Sequence, residues 1–583
     1  MASTRDLPKE NLHGVVDMGS NGIRFSISDL SQPTARIMPT IFQDRAGISL
    51  YDAQFSNPDG NRGPIPAGVI EDAITRLVRF KSTCEDFGVP PRNVHVLATE
   101  ATRTASNADD FISKIKAATG WDTRMLLKEE EGRIGALGVA SSFSAVEGLV
   151  MDLGGGSTQI TWMIAKDGVV ETSPKGSVSL PYGAVALMNR LAEARKQGSK
   201  AERELREEMK ANIQSAYSSL EVPEPLLQAA HSRGGFDLYL CGGGFRGWGY
   251  LLMSQSKIHP YPIPIINGFR ASAMDFHDTD AVLNITSTAD SKIFRVSKRR
   301  ASQVPAVAFL ITVMAEALPS IHNIQFCQGG VREGFLYNSL EKDIRKQDPL
   351  IVATASYAPP SAGALYDLLI SVLPSTSSPI LSRQAPPSFT HSFLLALTHI
   401  LFAHSCVTRE SKPAAALYCT TTGIIASANN LSHLDRALLA LVLSERWTGD
   451  LAPTEQAFQE RLRQLVSMQE AWWCRYLGRV AALIGDIYPA GVVSETQWRI
   501  RFQAGWQQVV KKKQGTVDII VLGIIVNHAV ARAVNRDSLE DAIERIEKIG
   551  KKKNWIKAAE RIQSRHTSGD YGIGVEVEIR GEM

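Results

Sequence analysis

The sequence predicts an α/β protein that gives way to a mainly helical C-terminal region, and three observations carry that prediction. Residues 14–166 alternate short apolar runs with glycine-rich turns and amphipathic stretches, and the pattern persists to about residue 340. A unit of apolar strand, aspartate, glycine turn and second strand occurs twice, its aspartates at Asp17 and Asp152. Around 346–388, Pro349, Pro359, Pro360, Pro374, Pro379, Pro386 and Pro387 break a Ser- and Ala-rich stretch, after which the apolar spacing becomes helical. These shifts divide the chain into a first α/β part over 1–145, a second over 146–345, a connection over 346–388 and a mainly helical part over 389–583 that ends in a strand.

Each element follows from its residues. The first hairpin is Gly14–Asp17, a turn at Gly19-Ser20-Asn21-Gly22, and a return strand Ile23–Leu30. Val69–Phe80 and Ala108–Ala118 have amphipathic helical spacing, and Val94–Ala98 reads as a strand between them. The second hairpin runs from Leu149 to Asp152, turns at Gly154-Gly155-Gly156-Ser157-Thr158, and returns over Gln159–Ala165. Leu238–Cys241 is a strand that enters Gly242-Gly243-Gly244 and an apolar helix. Beyond the proline stretch, which holds a helical segment at Ala362–Val372, helices are expected at Leu434–Leu443, Phe458–Met468 and Trp472–Ile484, with a last strand at Ile573–Arg580.

Composition bounds the function. The chain has 583 residues, 44% apolar and 21% charged, which excludes wholesale disorder, a collagen or a membrane bundle. Lys plus Arg is 63 and Asp plus Glu is 60, a surplus of +3 that points to no nucleic-acid polymer as a direct partner. The surplus sits in residues 501–583, with 15 basic and 11 acidic residues, while the first 500 residues are slightly acidic. Six widely spaced cysteines form no metal or redox pair. The first residues lack the apolar core of a secretory signal, and the longest apolar runs, Ser392–Ala403 and Ile519–Val526, are too short to span a bilayer. A cytoplasmic or nuclear protein without a membrane segment is the expectation, with the cytoplasm preferred.

The repeated hairpins carry the chemistry. Glycine permits positive φ and removes side chains that would obstruct an oxyanion, so successive backbone N–H groups can converge on a phosphate. An aspartate at the strand end holds a hydrated cation, most simply Mg²⁺, against the phosphate oxygens. Either hairpin alone reads more simply as a tight turn with a locally bonded Asp. Two of matching layout read as a clamp on a phosphate chain, because coincidence must then explain both. Gly242, Gly244 and Gly247 also spell G-x-G-x-x-G, but no acidic residue follows between Gly247 and Asp275 to bind a ribose. That turn either aims a helix N-terminus at the same cleft or packs a helix closely on its strand. Between the hairpins, Arg103 has a fork suited to phosphate, and Glu129-Glu130-Glu131 holds a candidate base, although an acidic first helical turn accounts for the same residues. The triplets Lys298-Arg299-Arg300, Lys511–Lys513 and Lys551–Lys553 read most simply as solvated surface.

The segments VVDMGSNGIRFSISDL, ATEATRTASNADDF, EEEGRIGALGV, LVMDLGGGSTQITW and VREGFLYNSL occur in the order found in the exopolyphosphatase and guanosine pentaphosphate phosphohydrolase (Ppx/GppA) family. That family belongs to the actin, sugar kinase and heat-shock ATPase superfamily. The resemblance covers residues 12–345, and the helical remainder resembles a fungal branch of the family. It implies two actin-like, ribonuclease H-like lobes around a phosphate-binding cleft. It also implies Asp17 and Asp152 as metal-facing carboxylates, with Gln159 beside them where active members have Glu. Phosphate loops are implied at Gly19–Asn21 and Gly154–Thr158, and Arg103 as a phosphate contact, while Gly242, Gly243 and Gly244 are candidate phosphate-binding residues from their own turn alone. Glu131 is implied as the base, and Arg332 and Glu333 as the start of a closing helix. The implied ligands are Mg²⁺ and a nucleotide or polyphosphate. The fungal branch implies a regulatory protein acting through partners in mitochondria-to-nucleus signalling, with a working phosphohydrolase as the alternative and homodimerisation open. His433-Leu434-Asp435 departs from the His-Asp pair of the bacterial C-terminal domains, which implies that His391, His399 and His404 are not ligands.

Overall fold

The computed structural model of the chain describes residues 9–55, 62–287, 295–374, 383–511, 515–527, 536–558 and 569–580. Strands β1 (Leu12–Gly19), β2 (Gly22–Asp29), β3 (Thr40–Ala46), β4 (Val94–Ala98) and β5 (Thr123–Met125) form a sheet ordered β3-β2-β1-β4-β5. β1–β3 are antiparallel and β4 and β5 continue parallel to β1. The same plan recurs in β6 (Val146–Leu153), β7 (Thr158–Lys166), β8 (Val169–Thr172), β9 (Val178–Leu180), β10 (Phe236–Cys241), β11 (Phe269–Ser272) and β12 (Ile321–Phe326). Their order is β11-β12-β10-β6-β7-β8, with β9 paired to β7. Thus β6, β7, β8, β10 and β12 repeat β1, β2, β3, β4 and β5, and each half is an actin-like, ribonuclease H-like lobe.

Apolar patterning builds both lobes. The helix Ala67–Phe87 buries Ile70, Ala73, Leu77, Phe80 and Cys84, spaced three and four apart, and ends where Gly88 takes φ 75°. These side chains meet Val16 and Met18 of β1 and Phe25 of β2 in one core cluster. A second cluster joins the lobes, taking Val15, Leu97 and Leu126 from the first and Val150, Tyr239 and Leu336 from the second. Arg36, 1% exposed, donates to the carbonyls of Arg345, Ser141 and Phe143 at 2.8–3.0 Å, and so satisfies backbone that would otherwise be buried unpaired.

The helix Lys128–Ser141 crosses the helix Val331–Ser339 at glycines. A Cβ on Gly334 would overlap the Ile134 carbonyl, and one on Gly138 would overlap Gly330. Gly334→Ala is therefore expected to destabilise the protein by about 1–3 kcal/mol through overpacking, read as a lowered denaturant midpoint with an unchanged slope.

By compactness the chain forms two units. The first is Met1–Ser256, Ile265–Pro349 and Ser427–Leu431; the second is Lys257–Pro264, Leu350–Ala426 and Ser432–Met583. Within the second, the helices Ala362–Ser371, His391–Ile400, His433–Arg446 and Met468–Ile487 pack on one another, and the last of them buries Trp472, Trp473 and Tyr476. Leu365 and Leu369 of the first of these helices are fully buried, so part of the proline-broken stretch is packed structure. The predicted helix Phe458–Met468 is interrupted: one helix ends at Gln464 and the next starts at Met468, capped by Ser467. The unit also holds more sheet than its sequence suggested. β13 (Ile500–Lys511) and β14 (Gly515–Val526) form a long antiparallel pair to which β15 (Gly574–Arg580) adds in parallel. The alternation of buried Ile500 and Phe502 with exposed Arg501 and Gln503 is its sequence signal. His399 shares a hydrogen bond with the Thr354 hydroxyl at 3.1 Å, and His433 with the Tyr261 hydroxyl at 2.8 Å.

A candidate phosphate-binding cleft between the lobes

The two repeated hairpins meet. β1 and β2 are joined by Ser20-Asn21, and β6 and β7 by Gly154–Ser157, where the Gly154 amide donates to the Ser157 carbonyl at 3.0 Å. A Cβ on Gly155 would stand 3.2 Å from the Cβ atoms of both Ser20 and Asn21, so the bare glycine lets the two turns approach. One cleft is lined by Asp17, Gly19, Ser20, Asn21, Glu131, Asp152, Gly154–Ser157, Gln159 and Gly242–Gly244. Thr158 stands behind it, fully buried, with its hydroxyl donating to the Tyr182 carbonyl at 2.9 Å.

Strand register sets the charges. Arg24 lies directly opposite Asp17 on the β1–β2 pair, with Nη1 3.7 Å from Oδ2. The equivalent partner of Asp152 on the β6–β7 pair is Gln159, whose Nε2 donates to Ser157 Oγ at 2.8 Å. One aspartate thus faces a cation and the other an amide. Burial raises the Asp17 carboxyl above its ordinary value, with Glu333 and Asp152 adding to the rise and Arg24 and Arg332 opposing it. Arg332 itself donates to the Phe25 carbonyl at 3.0 Å, a tie from the second lobe to β2.

Glu131 sits in the first turn of the helix Lys128–Ser141, and its carboxyl is raised to about 7, chiefly by burial. Arg103 opposes that rise from 3.1 Å, while Asp152 and Glu100 contribute to it. Arg103 also donates to the Leu126 carbonyl, and it stands behind Glu131 outside the cleft lining. Glu100 also reaches the turns. A Cβ on Gly156 would overlap its carboxylate, and Ser20 Oγ donates to its Oε2 at 3.4 Å.

Four arginines that the motifs did not single out complete the wall: Arg24, Arg45, Arg246 and Arg300. Gly242, at φ 84°, opens the helix Gly242–Gln255 against Asp152 and Leu153. A Cβ on Gly243 would lie 3.7 Å from Arg24 Nη2 and 3.8 Å from Arg300 Nη2, so two guanidinium groups converge on the start of that helix. The third glycine turn therefore does both things its sequence allowed, packing tightly and facing the cleft. Arg246 and Arg300 are each lowered to about 10, first by burial and then by neighbouring arginines, the signature of crowded positive charge. Arg300 comes from the basic triplet expected on the surface; its stem crosses Gly247, while Arg299 pairs with Asp52 at 2.5 Å. The sequence signals were Arg24 just past the first turn and Arg246 inside the third.

The donor set suits a cation held together with a phosphate. Among the described residues no group of three or more His, Cys, Asp or Glu could hold a metal alone. Asp17 and Asp152 offer carboxylates to the same cleft, and phosphate oxygens would supply the rest.

The Ppx/GppA phosphatase family pattern matches residues 29–343, more than half of the chain. The chain belongs to the Ppx/GppA phosphatase family. An RTG2 C-terminal domain matches residues 348–582. Retrograde regulation protein 2 of Saccharomyces cerevisiae is 40% identical over 504 residues, covering 84% of this chain and 83% of the yeast protein. Exopolyphosphatase 1 of Mycobacterium leprae is 24% identical over 336 residues, 57% of this chain and 90% of its own. A solved structure of the Aquifex aeolicus PPX-GPPA enzyme covers 56% of this chain and 99% of its own at 22% identity and a TM-score of 0.44. Ppx/GppA phosphatases are generally metal-dependent, and among the described residues of this member no helix is long and apolar enough to cross a membrane.

Proposed function

We propose that this Ppx/GppA member binds a nucleotide or polyphosphate with Mg²⁺ between its lobes, and acts as a cytoplasmic regulator of the mitochondria-to-nucleus retrograde type. The observation that carries the reading is the convergence of both glycine turns, two aspartates and four arginines on one cleft. The regulatory part rests on the yeast relative's name and the RTG2 C-terminal domain match. Asp17 and Asp152 would hold the cation, which supplies charge neutralisation to the phosphate oxygens. Backbone N–H groups of the turns would hold the phosphate, and the arginines the remaining anionic charge. Ligand binding would alter how the lobes close and so which proteins the regulator engages. Calorimetric titration of the full chain with ATP, GTP and polyphosphate, with and without Mg²⁺, tests it; no binding by any of them rejects the clamp.

Glu131 favours a second reading, a phosphohydrolase. A carboxyl near 7 in the cleft can accept a proton from an attacking water at neutral pH, with Arg103 orienting it from behind. Gln159 is the feature set against turnover, since an amide opposite Asp152 supplies no second negative charge. Gln159→Glu is expected to raise Mg²⁺ affinity by about 10- to 100-fold, and to raise phosphate release if the missing charge is what limits it. Mg²⁺ titration beside a phosphate-release assay reads both; unchanged affinity would remove Gln159 from the metal site.

A further inference from the structure

The second unit carries an arginine cluster that the cleft does not use. On the helix Met468–Ile487, Arg475 and Arg479 lie one turn apart on a shared face. Gly478 stands between them, and a Cβ there would crowd Glu445 on the helix His433–Arg446. The bare glycine lets that helix deliver Glu445 to both arginines. Arg479 Nη2 is 2.8 Å from Glu445 Oε2, while Arg475 Nε and Arg463 Nη2 are each 3.9 Å from Oε1. Arg463, on the helix Pro453–Gln464, also lies 3.4 Å from Glu460. One carboxylate, 12% exposed, thus serves three guanidinium groups that are 22–29% exposed.

The cluster continues into a lysine turn. Arg475 Nη1 donates to the Asn554 carbonyl at 2.9 Å, which places Lys551, Lys552 and Lys553 beside it, all three exposed. Six cations then face four carboxylates, Glu445 and Glu460 on the helices and Glu544 and Asp570 beside Lys551 and Lys552. Burial lowers the Arg475 guanidinium, and the adjacent Arg463 and Arg479 lower it further. A surplus of this kind repels itself in the free protein and is relieved by an anionic partner. Glu445 already fills the point where the three forks converge, so a single compact anion has no seat there. The cations run from the helices onto the turn, which suits successive carboxylates along a polypeptide.

We propose that Arg463, Arg475, Arg479 and Lys551–Lys553 form a docking surface for an acidic segment of a partner protein, one with several Asp or Glu side chains in succession. The test is fluorescence anisotropy of a labelled twelve-residue Asp-Glu peptide with the full chain at low and physiological salt. The exposed triple variant Lys551→Glu, Lys552→Glu, Lys553→Glu is expected to weaken binding about tenfold or more, and Arg463→Gln with Arg479→Gln to weaken it as well. Reversal of the exposed Lys196 and Lys200, in the first unit, should change affinity less than about twofold. Equal loss from that control, no loss from the lysine triple, or tighter binding of a single-stranded oligonucleotide of the same charge would each overturn the proposal.

Discussion

Asp152→Asn should weaken Mg²⁺-dependent binding of nucleotide or polyphosphate by about 30- to 1,000-fold, roughly 2–4 kcal/mol. The substitution keeps the volume of the side chain and removes one of the two carboxylates offered to the cation. Across its strand pair Asp152 faces Gln159, whereas Asp17 already faces Arg24 at 3.7 Å. Loss at Asp152 should therefore be the larger, because Asp17→Asn also frees Arg24 to meet the ligand. Calorimetry on both variants decides the matter. Wild-type affinity in both would mean that the aspartates organise the turns and hold no cation.

Glu131→Gln should abolish any phosphate release while leaving ligand affinity within a few-fold, and it should stabilise the fold. The carboxyl sits near 7 in the folded protein against an ordinary 4.5. As pH rises from about 4.5 to 7, the unfolded chain gives up that proton while the folded chain retains it, so stability falls across this window and the deficit is complete above 7. Gln has no such proton. The variant should match wild type near pH 4.5 and exceed it by about 2–3 kcal/mol at pH 8, less whatever Arg103 loses with its partner. Denaturation at the two pH values measures this. A variant less stable than wild type at pH 8 would mean that the carboxylate is held charged by Arg103. In wild type, release should climb through about pH 7 as Glu131 ionises, the direction required of a base.

The sequence exposed those parts of the cleft that depend on the backbone. Glycine turns and strand-end aspartates repeat because positive φ and close approach admit few residue types, so both hairpins, β4 and the third turn were readable. Arginines reach a site from anywhere within the length of their stems. Arg45 on β3 and Arg300 on a short helix carry no spacing signal, and only the folded chain brings them beside Gly243. Arg103, which the family resemblance implies as a phosphate contact, pairs with Glu131 at 3.1 Å, a partner its sequence spacing alone did not single out. In the second unit the strong apolar periodicity of Trp472–Ile484 revealed its helix, whereas β13 was masked by Gly505 and three glutamines that dilute the alternation.

The division of the chain into compact units has a consequence for genetic dissection. Lys257–Pro264 belongs with the second unit and Ser427–Leu431 with the first, where Asn430 donates to the Ser141 carbonyl. A scission between Pro349 and Leu350, just past the family boundaries at 343 and 348, yields two fragments of which neither contains all of its own unit. Loss of function in such a truncation would report incomplete folding as readily as a missing activity. Single-residue alleles in the whole chain, rather than half-length ones, are the instruments that separate the cleft from the arginine surface.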